Sequence, residues 1–362
     1  MNSNLKPSNL VTISVLLTLS RLQNWVNAKS EVPCYFIFGD SISDNGNNNY
    51  LNTLAKVNYP PYGNNFPEGP TGRFTNGRTV HDFIVESLGF KNYMPPFAQL
   101  RGKDVINGVN YASGSAGILD ETGKINMGAR IPMNQQILQN HRAVVSKITK
   151  EMRNDPAASK KHLAKCIYAV QIGSNDYINN FFMPKFYDTS RRLTMPTFTN
   201  VLIQQLSQQL RILYDFGARK FAVFGLPLIG CTPNAVSVHG TDGKPCVEKI
   251  NKAAGLFNEK LQLLVHQLNA NLTSAKMTYL NPPGLPVDLS IFANAESCCE
   301  IGGGGGELCI RDSSPCSSPE KYIFWDGVHL TETHYKVIAE SAYSCTSPSC
   351  AAPFNIQKLA KL

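Results

Sequence analysis

Short apolar runs alternate with longer segments of helical periodicity along this chain. Each run has four to seven mostly apolar residues and is followed by turn-forming residues, which is typical of buried β-strands. The predicted strands are Tyr35–Phe38, Val105–Tyr111, Cys166–Ile172, Lys220–Phe224 and Met277–Leu280. Strands that alternate with helices predict an α/β fold around a parallel sheet.

Two segments place apolar residues at steps of three and four, which predicts amphipathic helices. The first runs from Ile203 to Leu213 and is expected to end at Gly217. The second keeps one apolar stripe from Val247 to Leu268, suited to covering one face of a sheet. A third helix is predicted to begin near Thr331, and no linker divides the chain. We therefore predict a single domain over residues 29–362.

The first 28 residues have the features of a signal peptide. Lys6 is the positive flank, Leu10–Leu19 is a short apolar core, and Val26–Ala28 has the small residues of a cleavage site. The apolar core is too short for a membrane-spanning helix, which needs about 20 apolar residues. Residues 356–362 carry neither a hydrophobic tail nor an ER-retention signal. These features predict a secreted protein without a stable membrane anchor.

Cysteine usage agrees with secretion. The chain has 10 cysteines, an even number, and seven of them lie between Cys246 and Cys350. Disulfides concentrated in this last third are the expected outcome, and zinc binding by Cys298, Cys299, Cys309 and Cys316 is the less favoured alternative. Asn271 begins an Asn-Leu-Thr sequon, so it is the predicted glycosylation site.

The net charge of +8 comes from scattered basic residues. The chain has no basic stripe interleaved with aromatic residues, so nucleic acid is not an expected partner. The glycine tract Gly302–Gly306 lacks the following Lys-Ser/Thr of a phosphate-binding loop and is predicted to be a pliable loop.

Polar groups with complementary chemistry follow three of the predicted strands. Ser41 offers a nucleophilic oxygen, the amide of Gly114 can approach a substrate oxygen closely, and the side chain of Asn175 can donate to the same oxygen. Asp326 and His329 lie three residues apart in one predicted turn, where the histidine would accept the serine proton and the aspartate would orient the histidine. The set predicts an acyl-transfer enzyme.

Each motif alone has a structural alternative, namely a turn, a helix cap or a capped loop. His334 is the main competitor of His329 for the role of base, but its spacing from Asp326 suits a single turn less well. The other histidines fall in helical or surface contexts and are expected to be structural; they are His81, His141, His162, His239 and His266.

Four blocks of the chain resemble the plant GDSL esterase/lipase family of the SGNH hydrolase superfamily. The blocks are Phe38–Asn49, Gly108–Gly114, Ile172–Asp176 and Phe324–His329, and two further similar stretches are Gly72–Arg78 and Gly225–Cys231. The resemblance covers Cys34 to about Ser341. It implies a three-layer α/β/α sandwich with a central, mainly parallel five-stranded sheet. It also implies ester cleavage with no metal and no organic cofactor.

Residue by residue, the resemblance assigns Ser41 as nucleophile, Gly114 and Asn175 as oxyanion donors, and Asp326 and His329 as the rest of the triad. Three positions depart from the family pattern: Ile42 replaces leucine, Ser115 replaces a common second glycine, and Leu330 replaces the usual proline. None of these changes removes a reacting group.

The leading hypothesis is therefore a secreted serine esterase or lipase that hydrolyses carboxylic esters through an acyl-enzyme. The substrate is expected to be a small-molecule ester or an ester borne on a polymer. An acyltransferase with the same triad and an alcohol acceptor is the first alternative. A catalytically idle binding protein is the second, and the complete set of five functional residues argues against it.

Overall fold

The computed structural model describes residues 30–100, 104–281, 296–302 and 306–362. The predicted signal peptide and residues 303–305 of the glycine tract lie outside this part of the chain. The strands of the central sheet come from both ends of the described chain, the first beginning at Tyr35 and the last ending at Ala352. A single domain over residues 29–362 stays a prediction.

A five-stranded sheet forms the centre of the molecule, in the order β1-β2-β3-β4-β5. The strands β1 to β4 are parallel, and the short β5 is antiparallel to β4. Their bounds are β1 Tyr35–Gly39, β2 Ile167–Gln171, β3 Lys220–Phe224, β4 Lys276–Leu280 and β5 Ala351–Ala352. The predicted α/β class with a mainly parallel five-stranded sheet is confirmed.

Helices cover both faces of the sheet. The α-helices of six or more residues are α1 Val80–Ser87, α2 Arg142–Glu151, α3 Pro156–Leu163, α4 Met195–Asp215, α5 Pro233–His239, α6 Glu248–Asn271, α7 Glu332–Ser344 and α8 Ile356–Lys361. One-turn helices occur at Lys124–Met127, Met133–Gln135, Ser174–Asp176 and Thr189–Arg192, and π-helical turns at Gln136–His141 and Tyr177–Phe181. All three predicted helices are confirmed, as α4, α6 and α7.

Alternate residues of each strand enter two separate cores, as the period of two in a strand requires. Phe36 and Phe38 of β1 point toward α4 and α6, in a core that also holds Leu210 and Phe257. Tyr35 and Ile37 point the other way, toward α1, α7 and α8, where Ile84, Tyr335 and Ile356 are buried. The two cores make the three-layer α/β/α sandwich.

The predicted strand Val105–Tyr111 is wrong. Residues Asp104–Asn107 form a 3₁₀ turn, and Gly108 then adopts φ 119°, a conformation that non-glycine residues rarely reach. A side chain at Gly108 would also overlap the carbonyl oxygen of Tyr35. The segment reaches the open edge of β1 only through the single parallel bridge between Asn110 and Ile37. The fifth strand is instead β5, which the sequence patterns did not predict.

Five disulfides pair all ten cysteines. They are Cys34–Cys166, Cys231–Cys246, Cys298–Cys316, Cys299–Cys309 and Cys345–Cys350. The four cysteines considered for zinc are thus consumed in two bridges. Those bridges belong to a third buried cluster, with Tyr59, Tyr62, Phe74 and Trp325. Among the described residues, no helix is long and apolar enough to cross a membrane.

Candidate active site

The carboxyl ends of β1 and β2 bring three polar loops to one edge of the sheet, where α/β proteins collect functional groups. Residues 40–44 follow β1 directly, and residues 173–176 follow β2. Residues 112–118 lie beside the first loop, because the amide of Ser113 donates to the carbonyl of Gly39 at 3.1 Å. A fourth segment, residues 324–331, leads into α7 from the same side.

Ser41, His329 and Asp326 form a continuous chain of hydrogen bonds. The Nε2 atom of His329 lies 2.7 Å from Ser41 Oγ, and its Nδ1 atom lies 2.8 Å from Asp326 Oδ2. All three residues are buried. Because a 2.7 Å contact leaves the serine hydroxyl within direct reach of the imidazole, the proton can pass between them without rearrangement.

Asp326 is fixed by its neighbours in the same turn and by one tyrosine. Its Oδ1 accepts the backbone amides of Val328 and His329 at 2.9 and 2.6 Å. Its Oδ2 accepts the hydroxyl of Tyr62 at 2.7 Å, and that hydroxyl in turn accepts the amide of Cys309 at 3.0 Å. Tyr62 is 264 residues away in sequence, so no local motif indicated this contact.

The environment of His329 favours its protonated form. Burial lowers the pKa of His329, but the charge of Asp326 and its hydrogen bond outweigh burial and raise that pKa above the ordinary value. The ring of Phe74 packs against the imidazole with centroids 4.9 Å apart. Phe74 belongs to Gly72–Arg78, one of the stretches that resemble the family. This stretch therefore supplies a ring that packs against the imidazole of His329.

Two buried aspartates tie the three loops together. Asp44 accepts the amides of Gly46 and Asn47 through Oδ1 and that of Gly114 through Oδ2. Asp176 likewise accepts the amides of Ile118 and Leu119, at 2.8 and 3.1 Å. Side-chain bonds to the backbone, rather than apolar packing alone, therefore set the spacing between the loops.

Of the two predicted oxyanion donors, Asn175 lies beside Ser41 and Gly114 does not have a free amide. Asn175 lines both cavities that meet at Ser41. The amide of Gly114 already donates to Asp44 at 3.0 Å, and a side chain at Gly114 would come within 2.6 Å of Phe74. The need for glycine here is thus explained by packing in this structure.

Two backbone amides near Ser41, which the sequence patterns did not indicate, are also able to donate. Within the described residues, the amides of Ser41 and Ser115 donate no hydrogen bond. Ser115 adopts φ 64°, a left-handed conformation for a residue that carries a side chain, and its buried Oγ has no partner in the described structure. Ser115 also lines the smaller cavity beside Ser41 and His329.

Two cavities meet at Ser41. The larger has a volume of about 220 Å³ and a mostly aliphatic lining that includes Ile42, Leu330 and Ile338. The smaller has a volume of about 10 Å³ and includes His329 and Glu307. Glu307 has a pKa raised by its burial, although the nearby His329 opposes that shift. Sequence patterns did not indicate Glu307 either.

The other histidines and the sequon make no hydrogen bond with Ser41 Oγ in the described part of the chain, although His334 lines the larger cavity with Ser41. The Nδ1 atom of His334 lies 3.1 Å from Thr331 Oγ1. His81 lies in α1 and His141 in a π-helical turn, as expected. Both are buried, and their Nδ1 atoms form hydrogen bonds with the hydroxyls of Tyr35 and Tyr111 at 3.0 Å. The sequon residue Asn271 is exposed at the last position of α6.

A mainly parallel sheet with a hydrogen-bonded serine, histidine and aspartate at its carboxyl edge is the arrangement of the serine hydrolases. The chain matches the family profile described as GDSL-like Lipase/Acylhydrolase over residues 35–342. The chain therefore belongs to the GDSL lipase/acylhydrolase family, and its class is that of the carboxylic ester hydrolases.

Curated relatives agree with this family over nearly the whole chain. One Arabidopsis thaliana protein named as a GDSL esterase/lipase is 43% identical over 100% of both chains. A second of the same name and organism is 44% identical over 91% of this chain and 93% of its own. A third is 43% identical over 98% of this chain and 97% of its own.

Proposed function

We propose that this protein is a secreted serine esterase that hydrolyses carboxylic esters through an acyl-enzyme on Ser41. The observation that carries this proposal is the 2.7 Å contact between Ser41 Oγ and His329 Nε2, with Asp326 on the other side of the ring. The family membership of the chain supports the same reaction class.

The proposed reaction has two halves. Ser41 Oγ attacks the ester carbonyl carbon while His329 Nε2 takes the serine proton, and Asp326 stabilises the imidazolium that forms. His329 then gives this proton to the departing alcohol, which leaves the acyl group on Ser41. Water attacks the acyl-enzyme with the same histidine as base, and Ser41 is restored with release of the acid.

The negative oxygen of each tetrahedral intermediate needs hydrogen-bond donors. We assign the side-chain amide of Asn175 to this role, because Asn175 lines both cavities at Ser41. The unengaged backbone amides of Ser41 and Ser115 are the additional donors we propose. Gly114, the donor expected from the family resemblance, joins them only if its amide leaves Asp44.

Labelling with a fluorophosphonate probe tests the nucleophile. We expect the wild type to be labelled and Ser41→Ala to be unlabelled. Ser43→Ala is the matched control, because Ser43 lies two residues away and its hydroxyl donates to Gln171 at 3.1 Å rather than to His329. Equal labelling of Ser41→Ala and the wild type would show that Ser41 is not the nucleophile.

Hydrolysis is separated from acyl transfer by adding an excess of glycerol to the ester assay. We expect free acid as the main product, since the proposed reaction uses water. Glycerol ester as the main product would show an acyltransferase with the same triad. Binding of an ester without turnover or labelling would favour an idle binding protein.

Secretion and glycosylation at Asn271 are part of the proposal. Five disulfides suit an oxidising compartment, and the exposed position of Asn271 at the end of α6 suits glycan attachment. Expression in a secretory host should give protein in the medium, lacking residues 1–28, whose gel mobility increases after endoglycosidase treatment. Asn271→Gln should abolish that mobility change.

A further inference from the structure

The larger cavity at Ser41 is bounded by three parts of the fold. Ile42 follows the nucleophile directly, Leu228 belongs to the loop after β3, Leu330 lies two residues before α7, and Ile338 lies in the middle of α7. Ile323 completes this wall. Because these residues belong to separate segments, the aliphatic wall is a product of the fold rather than of one motif.

Three polar side chains of the same wall, Gln171, Thr232 and Tyr335, have protein partners. Gln171 Oε1 accepts the hydroxyl of Ser43, and Thr232 donates to the carbonyl of Ile229. The hydroxyl of Tyr335 accepts the amide of Leu330 at 3.4 Å. Because these groups already form hydrogen bonds within the protein, they do not require hydrogen bonds from a ligand. The cavity therefore suits an aliphatic chain whose reactive end lies at Ser41.

The position of His329 distinguishes the two sides of an ester. The departing alcohol must receive its proton from His329 Nε2, so it has to lie on the histidine side of Ser41. His329 lines the smaller cavity, together with the polar residues Ser115, Asn179 and Glu307. The larger cavity includes Ser41 and Asn175 without His329. The acyl group is thus the part of the ester that faces the aliphatic wall.

The cavity volume sets the chain length. A volume of about 220 Å³ equals roughly seven liquid water molecules at ~30 Å³ each, and a methylene group occupies slightly less than one water. We propose that the larger cavity binds the acyl chain of a medium-chain ester, of about six to eight carbons, while the alcohol departs on the histidine side of Ser41. This inference rests on the proposed function, because it assigns the substrate of the same Ser41 site.

The test is a series of ethyl esters from acetate to dodecanoate, compared by kcat/KM. Each buried methylene group contributes about 0.8 kcal/mol, which is a factor of about four, so we expect a rise on the order of 10²-fold from acetyl to hexanoyl. The rise should end near octanoyl, where the cavity is full. Rates that fall steadily from acetyl onward would overturn the proposal.

Two isomeric esters separate the acyl side from the alcohol side. Ethyl octanoate and octyl acetate have the same composition, so their overall hydrophobicity is matched while the long chain changes sides. We expect ethyl octanoate to be cleaved at least tenfold faster. An equal rate, or a preference for octyl acetate, would contradict the assignment of the larger cavity to the acyl chain.

Variants of Ile338 then test the wall. Ile338→Trp should lower the ratio of octanoyl to acetyl kcat/KM at least tenfold by filling the cavity, and Ile338→Ala should move the optimum to longer chains. Leu263→Trp is the control, because Leu263 is 63% exposed on α6, and it should leave the ratio unchanged. If Ile338→Trp does not fold, Ile338→Ala and the wild-type series decide the question.

Failure of this inference is distinguishable from failure of the proposed function. If Ser41 is labelled by the fluorophosphonate and ethyl acetate is hydrolysed, but no medium-chain optimum appears, the acyl-pocket assignment alone is wrong. If Ser41 is not labelled and no ester is cleaved, the proposed function itself is wrong, and the acyl-pocket assignment falls with it.

Discussion

Tyr62 is the residue whose removal most directly tests how the site is held. Its hydroxyl donates to Asp326 Oδ2 at 2.7 Å and accepts the amide of Cys309 at 3.0 Å. Burial and the charge of Asp326 raise the pKa of Tyr62 well above its ordinary value, so the hydroxyl stays protonated and remains a donor. Tyr62 thus acts as a positioning residue for the Asp326–His329 pair.

The expected effect of Tyr62→Phe follows from the charge on its acceptor. A hydrogen bond to a charged group contributes about 1.5–3 kcal/mol, and each 1.36 kcal/mol in the barrier is tenfold in rate. We therefore expect kcat/KM for a short ester to fall about 10- to 150-fold. The acidic limb of the pH–rate profile should also move, because the charge that faces His329 loses its partner.

Tyr59→Phe is the matched control. Tyr59 belongs to the same buried cluster and packs against Tyr62 with ring centroids 5.4 Å apart, but its hydroxyl donates to the carbonyl of Cys309 at 3.0 Å and not to Asp326. We expect Tyr59→Phe to change stability without moving the pH–rate profile. A decrease below about threefold in Tyr62→Phe, or an equal effect of both variants, would refute the positioning role.

Three further results are expected. The acidic limb of the kcat/KM profile should lie above pH 6.5, because His329 must be neutral to accept a proton and Asp326 raises the pKa of His329. Asp326→Asn should move this limb to lower pH. A limb that does not move would contradict the pairing of Asp326 with His329. Asn175→Ala should lower kcat about 10²- to 10³-fold, and an effect confined to KM would argue against an oxyanion role. Replacing Cys34 and Cys166 by serine opens a bridge between residues 132 apart and should lower the free energy of unfolding by about 5 kcal/mol; a loss under about 1 kcal/mol in denaturant unfolding would show that this bridge is not a main source of stability.

Local periodicity was sufficient for the elements that form the two main cores. The stripe from Val247 to Leu268 is continuous, and nearly all of it is buried on one face of α6. The prediction of a strand at Val105–Tyr111 was wrong because most of these residues are buried although the first three belong to a 3₁₀ turn. The sequence carried a contrary signal, since Asn107-Gly108 is a turn-forming pair inside the run, and Gly108 does adopt a positive φ.

Other features depend on contacts that no local pattern encodes. The strand β5 has two residues, and its pairing with β4 joins positions 73 and 71 residues apart in sequence, Tyr279 with Ala352 and Leu280 with Ala351. The same holds for the hydroxyl of Tyr62 on Asp326. Ser41 lies 288 residues from His329 in sequence, so their spacing alone does not show that they meet. Their contact could be predicted because the motifs that contain them resemble those of a known family.

The motif residues and the substrate-facing residues have different tasks in this fold. The carboxylates of Asp44 and Asp176 accept hydrogen bonds from backbone amides of the loop at residues 112–118. These motif positions therefore fix where the reacting groups lie. The chain length that we propose depends instead on Ile338 and Leu330, of which only Leu330 adjoins a motif. Exchange of the aliphatic wall should therefore change which acyl chain is preferred while the hydrogen bonds from Ser41 to Asp326 persist. The motifs indicate the reaction class of this protein, and we propose that the wall of the larger cavity selects its acyl chain.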